Sequence, residues 1–271
     1  MLATNDHKNL HVFLAVLNFL LFAGMLTINA LANILPINGL NTGELSAFYP
    51  NLFVPAGLTF SIWGLIYILL FIYVIYALIA SIKGINAVLN IKAQLAFALT
   101  CLLNSTWIFF WHYKLIFWAE LIMLVLLVTL IILFQKTGKL NTRGFLRTLA
   151  ISAPVSIYLG WITVATIANT TALLVAKNWG AWGMSANAWT VTMILIATGI
   201  TVIILIRKLK VCYSLVIIWA FVGIMIRRYN AEILYKDIMF TLSVSLGILV
   251  IVTLYALIKN GLKHDLIINK G

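Results

Sequence analysis

Two short stretches of the sequence place aromatic and amide side chains on single faces of predicted helices. FSIWGLIY puts Trp63 and Tyr67 four residues apart, so both side chains lie on one face of a helix. LLNSTWIFFW puts Asn104, Trp107 and Trp111 at offsets of 0, 3 and 7, which is again one face. Flat aromatic walls with a few directional hydrogen-bond donors suit a planar, largely apolar ligand.

A third stretch, YLGWITVATIAN, shows the same pattern. Tyr158, Trp161, Ala165 and Asn169 fall at offsets of 0, 3, 7 and 11. Any one of these three faces could serve helix–helix packing alone, because buried amides and small residues hold membrane helices together. Three such faces in one chain favour a shared ligand cavity.

The residue patterns that most enzymes use do not occur in the sequence. There is no HExxH pair, no GxSxG turn and no phosphate-binding loop, so neither a catalytic site nor a metal site is predicted. No lysine lies in the middle of a span, where a Schiff base would need one. Cys101 and Cys212 have no CxxC partner and are predicted to be small apolar fillers.

Glu120, in FWAELIM, is the one acidic residue within a predicted span. An ionisable group inside a membrane is a functional candidate, here for an ion- or proton-linked step. The alternative is that Glu120 lies close enough to the headgroups to be solvated.

The composition of the chain indicates that membrane-spanning helices hold these aromatic and amide side chains. Of 271 residues, 64% are hydrophobic and 9% charged, whereas a soluble domain carries about 25% charged residues. The apolar residues form blocks of about 20, the length of a helix that crosses a bilayer core of about 30 Å. The sequence therefore predicts an all-α, polytopic membrane bundle. Its eight spans are predicted at residues 12–35, 53–81, 93–111, 115–134, 147–175, 188–206, 211–226 and 239–258.

The basic residues predict the orientation of the chain. Thirteen of the 18 Lys and Arg residues fall on one side of the eight predicted spans, and basic residues favour the cytoplasmic side. We therefore expect both termini to be cytoplasmic, in a multi-pass protein of the cell membrane. This placement explains the net charge of +12. The sequence contains no basic stripe interleaved with aromatic residues, so no nucleic-acid partner is expected.

One predicted outer loop, KNWGAWGMSANAW, carries Trp179, Trp182 and Trp189. Such a cluster is typical of an aromatic belt at the membrane interface. The alternative is a lid over a ligand pocket.

The three aromatic faces resemble motifs of the TspO/MBR family, the tryptophan-rich sensory proteins that include the mitochondrial translocator protein. The resemblance covers about residues 12–175 and runs in the family's order. The family's W-x-x-x-Y follows a proline in its second helix, N-x-x-W precedes paired Phe in its third, and Y-x-x-W-x-x-x-A-x-x-x-N lies in its fifth. The matching residues here are Pro55, Trp63, Tyr67, Asn104, Trp107, Phe109, Phe110, Tyr158, Trp161, Ala165 and Asn169.

The resemblance implies a five-helix membrane domain, residues 1–175. The remaining three predicted spans form an additional three-helix region, residues 176–271, to which the resemblance assigns no role. The pocket of the five-helix domain would bind porphyrins, other tetrapyrroles or similar hydrophobic molecules as ligands, and no resident cofactor is expected. A homodimer is compatible with it; the three further helices could instead cover one flank or replace the family's dimer contact. The ligand-binding residues it implies are Trp63, Tyr67, Asn104, Trp107, Phe110, Tyr158, Trp161, Ala165 and Asn169.

Three functions follow from these observations. The leading hypothesis is a non-enzymatic TspO-like protein that binds a planar hydrophobic ligand for transport or sensing. The alternative is a secondary transporter of a small solute that uses the extra helices and Glu120. A membrane enzyme acting on a tetrapyrrole ranks third, because the sequence supplies no metal site and no activated nucleophile.

Overall fold

The computed structural model describes residues 2–35, 37–84, 90–138 and 147–268. Over these residues the chain forms nine α-helices and no strand, and eight of the helices are long and apolar enough to cross a membrane. The predicted all-α membrane bundle with eight spans is therefore confirmed. The helices are α1 (Leu2–Ile34), α2 (Thr42–Ser46), α3 (Ile62–Ile82), α4 (Ile91–His112), α5 (Ile116–Gly138), α6 (Ala153–Ala176), α7 (Ala186–Lys208), α8 (Val211–Tyr229) and α9 (Lys236–Ile268).

Local sequence signals start several of these helices. Asn90 caps α4 by accepting a hydrogen bond from the Ala93 backbone N–H at 2.8 Å. Asn41 and Glu44 form a capping box at the short helix α2. A π-helical turn at Thr148–Ser152 directly precedes α6, in which Pro154 is the second residue. This wider turn lets the helix continue past a residue that has no N–H to donate.

The chain divides into two compact units, and α6 contributes residues to both. The first unit comprises Met1–Tyr49 and Ser61–Ile162. Within it α4 packs against α1 and α5, and α1 packs against α3. Large rings fill the contacts between these helices, as where Tyr73 of α3 meets Phe97 of α4 with ring centroids 4.8 Å apart.

A buried histidine fastens the loop after α1 to the end of α4. His112 Nδ1 lies 2.9 Å from the Ile37 carbonyl oxygen, which can only accept, so this nitrogen carries the hydrogen. In the neutral ring Nε2 then accepts from the Thr42 hydroxyl at 3.0 Å. Asn38 Nδ2 donates to the His112 carbonyl oxygen at 3.0 Å, and Trp111 Nε1 donates to the Thr42 carbonyl oxygen at 3.3 Å. These bonds give the loop one fixed conformation.

The second unit comprises Pro50–Phe60 and Thr163–Gly271. In it α7, α8 and α9 pack against one another, and buried hydroxyls join neighbouring helices. Tyr213 of α8 donates to the Thr163 hydroxyl of α6 at 3.1 Å, and Thr253 of α9 donates to the Ser214 hydroxyl of α8 at 3.0 Å. Such bonds suit a bilayer interior, where no water is available to form hydrogen bonds with a polar group.

Candidate functional site

The centre of the candidate site is a cluster of four aromatic rings on α3 and α6, in the first unit. Trp63 and Tyr67 stack on one face of α3, with centroids 5.4 Å apart and an interplanar angle of 19°. Trp63 also meets Tyr158 edge-on at 6.1 Å and Trp161 edge-on at 6.2 Å. These are the stacked and edge-to-face geometries that aromatic rings prefer. We call Trp63, Tyr67, Tyr158 and Trp161 the aromatic cluster.

Burial differs across the aromatic cluster. Tyr158 is fully buried and Trp161 is 3% exposed, whereas Trp63 and Tyr67 are only half-buried. The α6 side of the cluster is therefore closed. Of the two half-buried rings, Trp63 is the one that both α6 rings contact.

A chain of buried side-chain hydrogen bonds supports the cluster. Asn29 of α1 donates through Nδ2 to Asn104 Oδ1 of α4 at 2.7 Å. Asn104 Nδ2 in turn donates to the Tyr158 hydroxyl at 3.0 Å. Asn104 is fully buried, and both of its polar atoms have protein partners. We infer that Asn104 acts on the cluster by positioning Tyr158 rather than as a free amide.

Sequence analysis did not single out Asn29, although it completes this chain of hydrogen bonds. The signal that could have found it is the group of amides in the first span, where Asn18, Asn29 and Asn33 interrupt an apolar helix. An amide inside a membrane helix needs an internal partner. The sequence does not show which helix supplies that partner.

Trp107 carries a buried hydrogen-bond donor. Its ring stacks on Trp111 with centroids 5.6 Å apart and an interplanar angle of 19°. Trp107 Nε1 is buried and has no hydrogen-bond partner among the described residues, whereas Trp111 Nε1 donates to the Thr42 carbonyl oxygen. Leaving a buried donor unpaired costs about 1–3 kcal/mol, so the indole N–H of Trp107 is available to an acceptor on a ligand.

Three other predicted ligand-binding residues are not part of the aromatic cluster. Phe110 is half-buried on α4, and no ring contact joins it to the aromatic cluster within the described part of the chain. Ala165 is half-buried and Asn169 is buried. Both lie further along α6, in the second unit. The roles of these residues in ligand binding stay predictions.

Glu120 lies on α5 and is 5% exposed. This burial favours the interpretation of Glu120 as a functional ionisable residue over solvation by headgroups, and its role stays a prediction. No group of three or more His, Cys, Asp or Glu side chains in the described ranges could hold a metal ion.

A double-mutant cycle tests the hydrogen bond between Asn104 and Tyr158. We expect Asn104→Ala and Tyr158→Phe each to destabilise the protein, with a coupling free energy of roughly 0.6–1.7 kcal/mol, the range of side-chain hydrogen bonds between membrane helices. The measurement is the free energy of unfolding in detergent micelles for the wild type, both single variants and the double variant. Strictly additive effects would contradict the bond. Ser105→Ala is the control, because Ser105 donates only to the Cys101 carbonyl oxygen of its own helix.

A family model described as TSPO-like protein matches residues 15–255. The chain belongs to the TSPO-like protein family. The resemblance seen in the sequence is thus confirmed, and the TSPO-like match continues past residue 175 into the last three spans. The division into residues 1–175 and 176–271 stays a prediction. No match to the chain was found among curated proteins or among solved structures.

Proposed function

We propose that this TSPO-like membrane protein binds a planar, largely apolar ligand of the porphyrin class at the aromatic cluster, for transport or sensing. The observation that carries the proposal is the packing of Trp63 against three other rings on two helices. A preassembled aromatic wall loses little side-chain entropy when a flat ligand stacks on it. The half-buried faces of Trp63 and Tyr67 are the surfaces that would stack on the ligand.

A buried donor on α4, the helix that carries Asn104, would suit a ligand with a polar edge. The unpartnered Trp107 N–H is a donor in a buried environment, where a hydrogen bond to an acceptor would replace an unfavourable unpaired state. The aromatic cluster contains no charged side chain, so most of the binding free energy would come from ring stacking and burial. We propose a binding function without catalysis, in keeping with a family that is generally non-enzymatic.

The test is a titration of the purified protein in lipid nanodiscs with protoporphyrin IX. The readout is the porphyrin's own Soret absorbance, so that it does not depend on which Trp residues are present. We expect a saturable shift with a stoichiometry of one porphyrin per chain. Nanodiscs without protein give the partition of porphyrin into lipid. A shift that grows linearly with porphyrin concentration and equals that of the empty nanodiscs would contradict the proposal.

We further propose that the protein lies in the cell membrane with both termini in the cytoplasm. The support is the excess of Lys and Arg on one side of the eight spans. The test introduces a single cysteine at either terminus of the protein and treats intact cells with a membrane-impermeant thiol reagent. We expect neither terminus to be labelled, and labelling of either one would contradict the proposed orientation. A cysteine in the loop around Asn41 is the positive control.

The burial of Glu120 favours a second candidate function, ion-coupled transport of a small solute. A carboxyl buried within a membrane helix is a typical element of a coupling site. If the protein works this way, uptake into proteoliposomes driven by a proton gradient should be abolished in Glu120→Gln, which keeps the shape but cannot ionise. Glu44→Gln, in the outer loop, is the matched control. Equal uptake by wild type and Glu120→Gln would rule out this function for Glu120.

A further inference from the structure

The second unit contains a cavity of about 260 Å³ that shares no residue with the aromatic cluster. Its walls come from the loop that begins at Pro50, the last turns of α6, the α6–α7 connection and the first turn of α7. We call this cavity the tryptophan pocket. The lining residues used below are Thr171, Trp179, Ala186, Trp189 and Thr190.

Two tryptophans line the tryptophan pocket, and a third packs against both of them. Trp179 and Trp189, which line it, meet edge-to-face with centroids 5.3 Å apart. Trp182 packs edge-on against Trp179 at 4.8 Å and against Trp189 at 6.5 Å. An aromatic belt at the membrane interface needs no contact among its members and no cavity behind them. The geometry therefore favours the second interpretation of this loop, in which the tryptophans form a lid that covers a pocket.

The lid is held in a conformation that bulky residues rarely adopt. Trp182 has φ 53° and ψ 31°, in the left-handed region, and is 82% exposed. Asn178 and Gly183 in the same connection also have positive φ, at 49° and 81°. An aromatic residue in this region is strained, and such strain is concentrated at binding and switch segments. Here the strained turn is the one that brings Trp182 onto the two lining tryptophans.

The polar groups of the pocket favour a neutral ligand with an acceptor. Trp189 Nε1 lies 3.4 Å from Thr171 Oγ1, beyond the usual 2.7–3.2 Å of N–H···O bonds. Thr171 already donates to the Ile167 carbonyl oxygen at 2.8 Å, and Thr190 to that of Ala186 at 2.8 Å. The Trp189 N–H can therefore be redirected to a ligand at little cost. Among the residues that the structure describes, no charged side chain lines the pocket, so none of them would compensate an ionic ligand.

The volume of the pocket limits the size of its ligand. A cavity of 260 Å³ lies just below the usual range of about 300–1,000 Å³ for drug-sized ligands. A ligand of roughly ten non-hydrogen atoms fits within this volume.

We propose that the tryptophan pocket is a second ligand site, separate from the aromatic cluster, for a small, neutral, ring-shaped molecule that carries one hydrogen-bond acceptor. The rings of Trp179 and Trp189 stack on the molecule, the Trp189 N–H bonds its acceptor, and Trp182 covers it. This site does not depend on porphyrin binding at the aromatic cluster.

The test uses 5-fluoro-1-indanone, a neutral bicyclic ketone, and 5-fluoroindane, which has the same rings without the carbonyl. Binding to protein in nanodiscs is followed by fluorine NMR, with empty nanodiscs giving the lipid partition. Ala186→Leu fills the pocket from an exposed position. The matched control is Ala188→Leu, at an exposed position two residues further along α7 that does not line the pocket. We expect Ala186→Leu to lower the affinity for the ketone by about tenfold or more and Ala188→Leu to leave it unchanged.

A second variant separates ligand recognition from packing. Trp189→Phe keeps an aromatic ring but has no N–H, so it should abolish the preference for the ketone over the indane while both still bind. Protoporphyrin binding, measured by Soret absorbance, should be the same in Ala186→Leu and wild type, whatever its strength. The proposal is overturned if Ala186→Leu and Ala188→Leu bind the ketone equally, or if Trp189→Phe retains the full preference for the ketone.

Discussion

Gly223→Ala is expected to destabilise the protein strongly, whereas the same substitution at Gly247 is expected to be neutral or slightly stabilising. A methyl group added at residue 223 of α8 would overlap the Thr59 hydroxyl and would come within 2.9 Å of two carbon atoms of the same side chain. A methyl at residue 247 of α9 would meet nothing within 4 Å. Overpacking costs about 1–3 kcal/mol, while Gly→Ala in an open helix position gains about 1 kcal/mol.

Thr59 cannot move aside, because its segment is bonded to α8 on both sides of the contact. The Ala56 N–H donates to the Gly223 carbonyl oxygen at 2.9 Å, and Trp219 Nε1 donates to the Thr59 carbonyl oxygen at 2.9 Å. Arg227 donates to the Pro55 carbonyl oxygen at 3.3 Å.

Thermal unfolding in micelles measures the effect of the two glycine substitutions. A loss of 1–3 kcal/mol corresponds to a fall in Tm of roughly 2–12 °C for a chain of this size. Adding Thr59→Gly to Gly223→Ala should recover part of the loss, because it removes all three of the crowding atoms. An equal Tm for Gly223→Ala and Gly247→Ala would show that α8 does not approach the 56–60 segment as described.

Trp161→Ala is expected to lower the affinity for protoporphyrin IX by about tenfold or more. Trp161 is buried against Trp63 in an edge-on contact, so its loss would remove a neighbour that holds the ring on which we propose that the ligand stacks. An aromatic pair contributes about 0.5–1.5 kcal/mol beyond the area it buries, and each 1.4 kcal/mol is tenfold in affinity. Soret titration in nanodiscs is the measurement.

Trp118→Ala is the control for this prediction. Trp118 lies on α5 in the same unit and is 55% exposed, so its removal should change the affinity by less than about twofold. The Tm of both variants without ligand shows how far the substitutions disturb folding. Equal affinities of Trp161→Ala and Trp118→Ala would remove Trp161 from the site.

The spans, and the faces of individual helices, could be predicted from the sequence because both depend on local spacing. Blocks of about 20 apolar residues predict membrane helices, and the eight predicted spans match the eight helices to within a few residues. The four-residue spacing of Trp63 and Tyr67 predicts two side chains on one face, where the structure has the two rings stacked. Family membership followed from the same motifs.

Contacts between helices were less accessible to sequence analysis, because they join residues far apart in the chain. Trp219 and Thr59 are separated by 160 positions, and nothing in either local sequence indicates the other. Asn29 was missed for the same reason. Glu120 left two interpretations open, since burial depends on which side of α5 faces the bundle.

The tryptophan pocket shows a third limit. Three tryptophans in one loop predict an aromatic belt by composition, and only their mutual geometry and the cavity behind them favour a lid. The volume of a cavity depends on the packing of several segments at once. A sequence pattern does not define it.

The central claim, that the aromatic cluster is a ligand site for a planar apolar molecule, is tested most directly by one comparison. The affinity for protoporphyrin IX is measured for the double variant Trp161→Phe/Asn104→Ala and for Trp118→Phe, with the wild type as reference. We predict that the double variant loses most of the binding, because it removes both the indole wall and the hydrogen bond that positions Tyr158. Trp118→Phe should bind as the wild type does. An unchanged affinity in the double variant would contradict the assignment of the site.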